Sequence, residues 1–440
     1  MAKTECGIVC IVSKIAITSY RLIDELKELQ HRGRDSFGVS YYYKGIKVEK
    51  HQGLVRNLNS IFVSNVWLGH VRYSTSTKTM KYCQPILSDE EEFSIVHNGN
   101  IKESIWDKIK ESIEFKFDKY DSDTYKLMLL INYYILSKHT LETSLKLILN
   151  TIEGSYCFLV QTKDYIYVVR DRYGIKPLSY YREKDRIIVT SETKNLDSKP
   201  IERGTLSRIN LKNLEIENIY TLEEKKNKKK CIFEQIYFMR ENTFFDDIFI
   251  KDWRQDIGRK LHLQTLEIFK DLKKEEVIVC GVPSSGIIYG ESFSHYSGFE
   301  YNQFLKKRED YPHRTFILDT NVKRIDACKK KYFIDFDLEN KVLILLDDSV
   351  VRGNTMKFLI NYLREFKPKE IHLLVGCSEI IKPCYYGVDF PDIEELISNK
   401  MNLDEMRNYF KLDSLNFLNL KSLKDSDSYC TACFDGSYMI

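Results

Sequence analysis

The sequence predicts two domains of different class, a layered α+β domain followed by an α/β domain with a parallel sheet. Three observations carry this. Short strand-like runs crowd the first half, with helical patterns set apart from them. A charged run, EEKKNKKK at Glu223–Lys230, interrupts the chain near its middle. Beyond it, strand and helix patterns alternate at the spacing of a βαβ unit.

In order, Ile8–Ser13, Phe37–Tyr43, Cys157–Gln161, Tyr165–Val169 and Ile187–Thr190 are apolar or aromatic runs between turn residues, the pattern of strands. Ser19–Gln30 and Thr124–Leu136 repeat apolar residues three and four apart, as one face of a helix does. Glu223–Lys230 reads as a solvated connector, which sets domains at 6–224 and 231–425 with a C-terminal segment at 426–440. Val277–Val282 and Val342–Leu346 are continuous apolar runs suited to buried strands. Gly286–Ser294 reads as a helix start. Thr355–Phe366 has helical spacing until Lys367-Pro368 stops it, and Ile371–Val375 is the next strand.

Composition narrows the class. Of 440 residues, 43% are hydrophobic and 30% charged, enough for a large core. Lys and Arg number 67 against 64 Asp and Glu, so the net charge of +3 gives no global reason to bind nucleic acid or membrane. Eleven cysteines in so long a chain do not describe a disulfide-stapled secreted domain. No apolar run is long enough to span a bilayer, and the first residues lack a small-residue cleavage site. The expectation is a soluble cytoplasmic enzyme.

The most informative stretch is Lys341–Thr355, KVLILLDDSVVRGNT. A buried strand ends in Asp347 and Asp348, then a loop with Ser349, Gly353 and Thr355 enters a helix. Free backbone N–H groups at a helix start, with hydroxyls and a glycine, make a phosphate cradle. Adjacent acids at a strand end take sugar hydroxyls or a magnesium-bound water. The stretch resembles the phosphoribosyl diphosphate (PRPP) fingerprint of type I phosphoribosyltransferases. The resemblance implies that Asp347 and Asp348 hold the ribose, and that Ser349, Arg352, Gly353, Asn354 and Thr355 line the 5-phosphate site. Asn354 stands where that family usually has Thr.

Cys6 lies almost at the chain start. A cysteine nucleophile needs a base, and a freed α-amino group on the same residue serves, with a pKa of ~7.7–8.0. That requires removal of residues 1–5, read here as a propeptide. Cys6-Gly7, His31–Asp35 (HRGRD), Gly69–Thr75 (GHVRYST), Gln84-Pro85, Val96–Asn100 (VHNGN) and Ser122-Asp123 together resemble the N-terminal-nucleophile, class II glutamine amidotransferases, in order and spacing. The resemblance implies an αββα sandwich. It makes Cys6 the nucleophile, Asn98 and the Gly99 N–H the oxyanion hole, Arg72 the partner of the glutamine α-carboxylate and Asp123 the partner of its α-amino group. His70 and His97 read as structural.

A class II glutaminase followed by a PRPP site resembles the amidophosphoribosyltransferases, which draw ammonia from glutamine to aminate PRPP in purine synthesis. Arg170–Leu178, Ser191-Glu192, Cys231–Phe238 and Pro383–Asp389 also match that pattern. Lys306–Arg308 with Tyr311–Ile317 resemble the mobile loop that closes over PRPP, Lys306 contacting it. The resemblance implies Mg2+, with Ser285, Asp347 and Asp348 nearest the metal. It also implies a homo-oligomer, by resemblance a tetramer, and purine nucleotides as feedback inhibitors. Cys430 and Cys433 form a CxxC that alone reads as zinc, redox or chance. With Cys231 and Cys384 they make four thiolates, suited to an iron–sulfur cluster or a four-thiolate zinc site. The branch resembled carries a structural [4Fe–4S] cluster. The remaining cysteines, at 10, 83, 157, 280, 328 and 377, read as buried packing residues.

The pattern is broken in places. Ser284 replaces an expected acid in the pyrophosphate loop, Val282–Gly286. Glu309-Asp310 reads as an insertion, Arg34 replaces Gln, and Cys10 replaces Gly. The alternative is a non-catalytic PRPP or nucleotide sensor descended from such an enzyme. A glucosamine-synthase type is disfavoured by the acid-acid-phosphate loop.

Overall fold

A computed structural model describes residues 6–73, 80–113, 116–118, 121–223, 229–308, 331–388, 390, 392–423 and 428–439. The expected propeptide, most of the connector, the loop at 309–317 and Cys328 lie outside these residues.

The first half is a four-layer sandwich. One antiparallel sheet contains β1 (Gly7–Thr18), β2 (Ser36–Tyr42), β3 (Ile46–Gln52) and β4 (Val63–Arg72). The other contains β5 (Ile86–Leu87), β6 (Ser94–Asn100), β7 (Ser155–Gln161) and β8 (Tyr165–Arg170). Next come β9 (Ser179–Glu183), β10 (Arg186–Thr190), β11 (Lys199–Pro200), β12 (Thr205–Asn210) and β13 (Ile216–Thr221). The sheet orders are β11-β9-β10-β1-β4-β2-β3 and β13-β12-β8-β7-β6-β5. Side chains alternate across each strand. Along β1, Ile8, Cys10 and Val12 enter the core between the sheets with Cys157 and Leu159 of β7. Val9 and Ile11 point the other way, onto α1 (Ser19–Glu28). Phe158 and Val160 of β7 pack against α2 (Glu103–Ser112), α3 (Asp123–Leu136) and α4 (Leu141–Thr151).

The second half is built on a five-stranded parallel sheet in the order Glu300–Tyr301, Val277–Gly281, Val342–Asp347, Glu370–Val375, Ser414–Phe417. Its register is continuous, Val277 facing Val342 and Val342 facing Glu370. Helices Gly286–Ser297 and Asn354–Arg364 follow the two central strands.

The fold class is as the sequence predicts, with more helices than its periodicity shows. α2 buries only Ile105, Trp106 and Ile109 among charged neighbours. The helix Ile250–Phe269 buries Arg254, Gly258 and Thr265 alongside Ile257 and Leu261, so its inner face does not read as apolar. A single π-helical turn, Glu234–Phe238, joins the halves, with Met239 N–H donating to the Glu234 carbonyl at 2.9 Å. Such turns recur at functional sites.

Candidate active site

Cys6 precedes β1, and its carbonyl accepts a 3.0 Å hydrogen bond from Arg32 Nε. Gly7 faces Val71 in the β1–β4 ladder, so Cys6 and Arg72 stand at the same end of adjacent strands. A Cβ on Gly7 would lie 2.8 Å from Val71 Cγ2, which is why the strands meet at a glycine. His70 crosses between sheets, with Nε2 3.2 Å from the His97 carbonyl oxygen. Burial pushes both imidazoles down to about 3, so both are neutral near pH 7 and neither is a base.

Beside His97, Asn98 is buried and its Nδ2 makes no hydrogen bond among the described residues. An unpaired buried donor costs on the order of 1–3 kcal/mol and calls for an explanation. An acceptor brought by a substrate supplies one. At Gly99, with φ +151°, a Cβ would lie 2.0 Å from the Ser155 carbonyl oxygen, so no other residue fits. Asp123 begins α3 with both oxygens engaged. Oδ2 accepts from the Ile101 N–H and Oδ1 from the Trp106 indole, each at 2.9 Å. Burial pushes its carboxyl up to about 6, against the pull of those donors and of Lys126. Trp106 went unrecognised in the sequence, because nothing in its spacing announces a partner 17 residues away.

The seam between the halves is charged. Arg32 is buried against Glu192 of the first half and Glu234 of the second, Glu234 accepting two bonds of 3.1 Å. His31 Nε2 lies 2.9 Å from Glu192, and Arg240 Nε donates to His31 Nδ1 at 3.1 Å. Because that guanidinium can only donate, Nδ1 accepts and Nε2 carries the proton. Thr243 Oγ1 donates to Glu192 at 2.8 Å. Burial raises the Glu192 carboxyl, but His31 and Arg32 outweigh it and hold it well below the usual range.

In the second half, Asp347 ends its strand and Asp348 and Ser349 open the loop. Ser349 Oγ donates to Asp348 Oδ1 at 2.5 Å, and Ser285 Oγ donates to Oδ2. A Cβ on Gly286 would lie 2.2 Å from the Leu346 carbonyl oxygen, so a glycine lets the two loops touch. Gly353, at φ +73°, turns the chain into the helix that starts at Asn354, with Thr355 next. Burial and the neighbouring Asp348 push the Asp347 carboxyl well up, and burial pushes Asp348 up as well. Two adjacent acids cannot both ionise cheaply without a cation. Of the expected phosphate contacts, Arg352 Nε sits 2.5 Å from Glu395 and Lys306 pairs with Asp335. Burial raises the Tyr237 phenol, as do Asp348 and Asp347, and its surroundings also include Tyr73 and Arg34 of the first half.

Cys231 faces Cys430 in a two-stranded parallel ladder. Burial pushes the Cys433 thiol well up, and Cys384, Cys430 and Cys231 add to it, so the four sulfurs share one neighbourhood. The Tyr386 N–H donates to Cys384 Sγ at 3.3 Å. Among the described residues no three His, Cys, Asp or Glu side chains form a metal-binding group. The described cysteines at 10, 83, 157, 280 and 377 are buried, as expected.

A family model described as a glutamine amidotransferase domain matches residues 5–247. The amidophosphoribosyltransferase of Methanothermobacter thermautotrophicus is 32% identical, the match covering 99% of this chain and 94% of that one. That of Methanocaldococcus jannaschii is 31% identical over 98% and 97%. Among solved structures, the B. subtilis glutamine PRPP amidotransferase complexed with ADP and GMP superposes with a TM-score of 0.83 at 27% identity, covering 99% of this chain and 97% of that one. The structure of an allosteric regulatory enzyme of purine biosynthesis gives 0.86 at 28%, over 99% and 96%.

Proposed function

The chain belongs to the amidophosphoribosyltransferase family, and on that premise we propose that it converts PRPP, glutamine and water to 5-phosphoribosylamine, pyrophosphate and glutamate, committing PRPP to purine synthesis. The observation that carries this is buried Arg32, which holds the Cys6 carbonyl and the Glu234 carboxylate of the other half at once. The nucleophile and the second domain are thereby built as one unit.

Cys6 attacks the glutamine carboxamide, its α-amino group acting as base once residues 1–5 are removed. Asn98 Nδ2 and the Gly99 N–H take the oxyanion, a role in which one donor contributes about 10²–10³ in rate. Arg72 and Asp123 hold the α-carboxylate and α-amino groups. Ammonia leaves, and water releases glutamate from Cys6. The ammonia passes Tyr237 to the ribose C1 and displaces pyrophosphate, with Asp347 and Asp348 on the ribose hydroxyls. Ser349, Arg352, Gly353, Asn354 and Thr355 receive the 5-phosphate, and Arg352 and Lys306 exchange Glu395 and Asp335 for substrate oxygens.

The crowded acids Asp347 and Asp348 with Ser285 fit a magnesium ion, which would neutralise the departing pyrophosphate. Cys231, Cys384, Cys430 and Cys433 share one neighbourhood without forming a metal-binding group, and their four thiolates have the donor chemistry of a [4Fe–4S] cluster, which would tie the C-terminal segment to the start of the second domain. Iron and zinc analysis of anaerobically purified protein decides between the two metals. Purine nucleotides as feedback ligands, a homo-oligomer and a reducing cytoplasm complete the reading. It is supported by the nucleotide-bound B. subtilis relative. No helix among the described residues is long and apolar enough to cross a membrane.

The test is glutamate release from glutamine with and without PRPP and magnesium. Release stimulated by PRPP, with matching pyrophosphate, is expected. Release indifferent to PRPP and without pyrophosphate would sink the coupled reaction. Intact mass reports whether Cys6 has been freed.

A further inference from the structure

Asp123 is a half-buried residue whose carboxylate depends for its geometry on a neighbour from another helix. Trp106 lies on α2, wholly buried, and its indole N–H reaches Asp123 Oδ1 at 2.9 Å. The ring is itself clamped. Phe117 meets it edge-on with centroids 5.6 Å apart, and Lys126 Nζ lies 5.6 Å from its centroid. Lys126, 1% exposed, is anchored by Glu103 at 2.7 Å. An indole N–H donates and never accepts, so it fixes a carboxylate oxygen in one direction without competing for an incoming proton donor. With the Ile101 N–H on Oδ2, the carboxylate is held at both ends and keeps its remaining lone pairs for a cation.

We propose that Trp106 is a positioning residue for glutamine recognition, its indole N–H aiming the Asp123 carboxylate at the substrate α-ammonium. This rests on the reading of Asp123 given above. The charged groups facing Asp123 are Lys126 from its own helix and Glu103 from α2. His97 of β6, bonded to Thr124, is neutral. A purely structural Trp106 would fill volume and nothing more.

Trp106→Phe keeps a ring and deletes the N–H. Steady-state kinetics with glutamine between about pH 5 and pH 8 compare it with Phe117→Leu, which disturbs the same packing without touching Asp123. Trp106→Phe is expected to raise the glutamine KM about ten-fold or more, the size of one lost bond to a charged group, with kcat much less affected. The acid limb of kcat/KM should move to higher pH, since the indole is one of the groups drawing the Asp123 carboxyl down. Phe117→Leu should do neither. A wild-type KM in Trp106→Phe, or equal shifts in both variants, overturns the proposal. A wild-type KM in Asp123→Asn overturns the reading beneath it. The second measurement leaves Trp106 intact: fluorine NMR of 5-fluorotryptophan in Cys6→Ala protein, which has three tryptophans. One resonance must respond to glutamine and titrate near 6; none doing so is fatal to the idea.

Discussion

The two candidate sites are prepared to different degrees. On the glutaminase side, Asp123 has both oxygens bound, Asn98 presents an unused donor, and Arg72 is already buried at its strand end. On the phosphoribosyl side, Arg352 and Lys306 are spent on Glu395 and Asp335, while Asp347 and Asp348 crowd each other. The first site has only to receive its ligand. With Arg352 and Lys306 in their proposed roles, the second gives up ion pairs within the protein to take its ligand, so substrate is part of what completes it. That is the arrangement expected if ammonia is to be released only when an acceptor is bound.

Four experiments break or sharpen this contrast. The largest effect is expected for Asn98→Ala, which should lower glutamine-driven turnover about 10²–10³-fold. A loss comparable in ammonia-driven turnover would show the donor was not specific to glutamine. Next, Asp347→Asn should raise the PRPP KM roughly ten- to hundred-fold in ammonia-driven assays, as a charged contact to the sugar is lost. Unchanged PRPP affinity would remove its ribose role. Third comes pH. Burial pushes the Asp123 carboxyl up to about 6, and its neutral form cannot pair with an ammonium, so acidification through that value should weaken binding. Glutamine KM should rise roughly ten-fold from about pH 7 to about pH 5, and a flat profile would count against Asp123. The smallest effect belongs to Glu395→Gln. Freeing Arg352 from an exposed pair should lower the PRPP KM about two-fold, whereas a raised KM would mean that Glu395 is needed in place.

The sequence shows candidate residues whose types fall at fixed local spacing. Cys6, Asn98-Gly99 and the Asp347–Thr355 loop are readable because strand, turn and helix must follow at short range. The layer structure follows from period-two alternation such as that of Val9 and Ile11 against Ile8 and Cys10. What sequence does not show is pairing over distance. Glu234 reaches Arg32 across 202 positions, and Trp106 becomes informative only once α2 and α3 have folded together. Sequence also cannot tell where a long cation points. Arg352 and Lys306 have the expected type and place, yet each bonds first to an acid of the protein.

The Arg32 clamp bears on how the two halves can be inherited. A charged connector invites the picture of two modules, exchangeable by recombination. Yet Arg32 is 1% exposed and shares its charge between carboxylates on both sides of that connector. Removing one partner of such a buried pair costs roughly 3–5 kcal/mol, a large share of a domain's whole stability. A crossover that brought in a second half without an acid at position 234 would leave this buried cation, next to Cys6, with one carboxylate in place of two. Glu192, Glu234 and Arg32 must therefore travel together, and shuffled chimaeras of this family should survive only where they do.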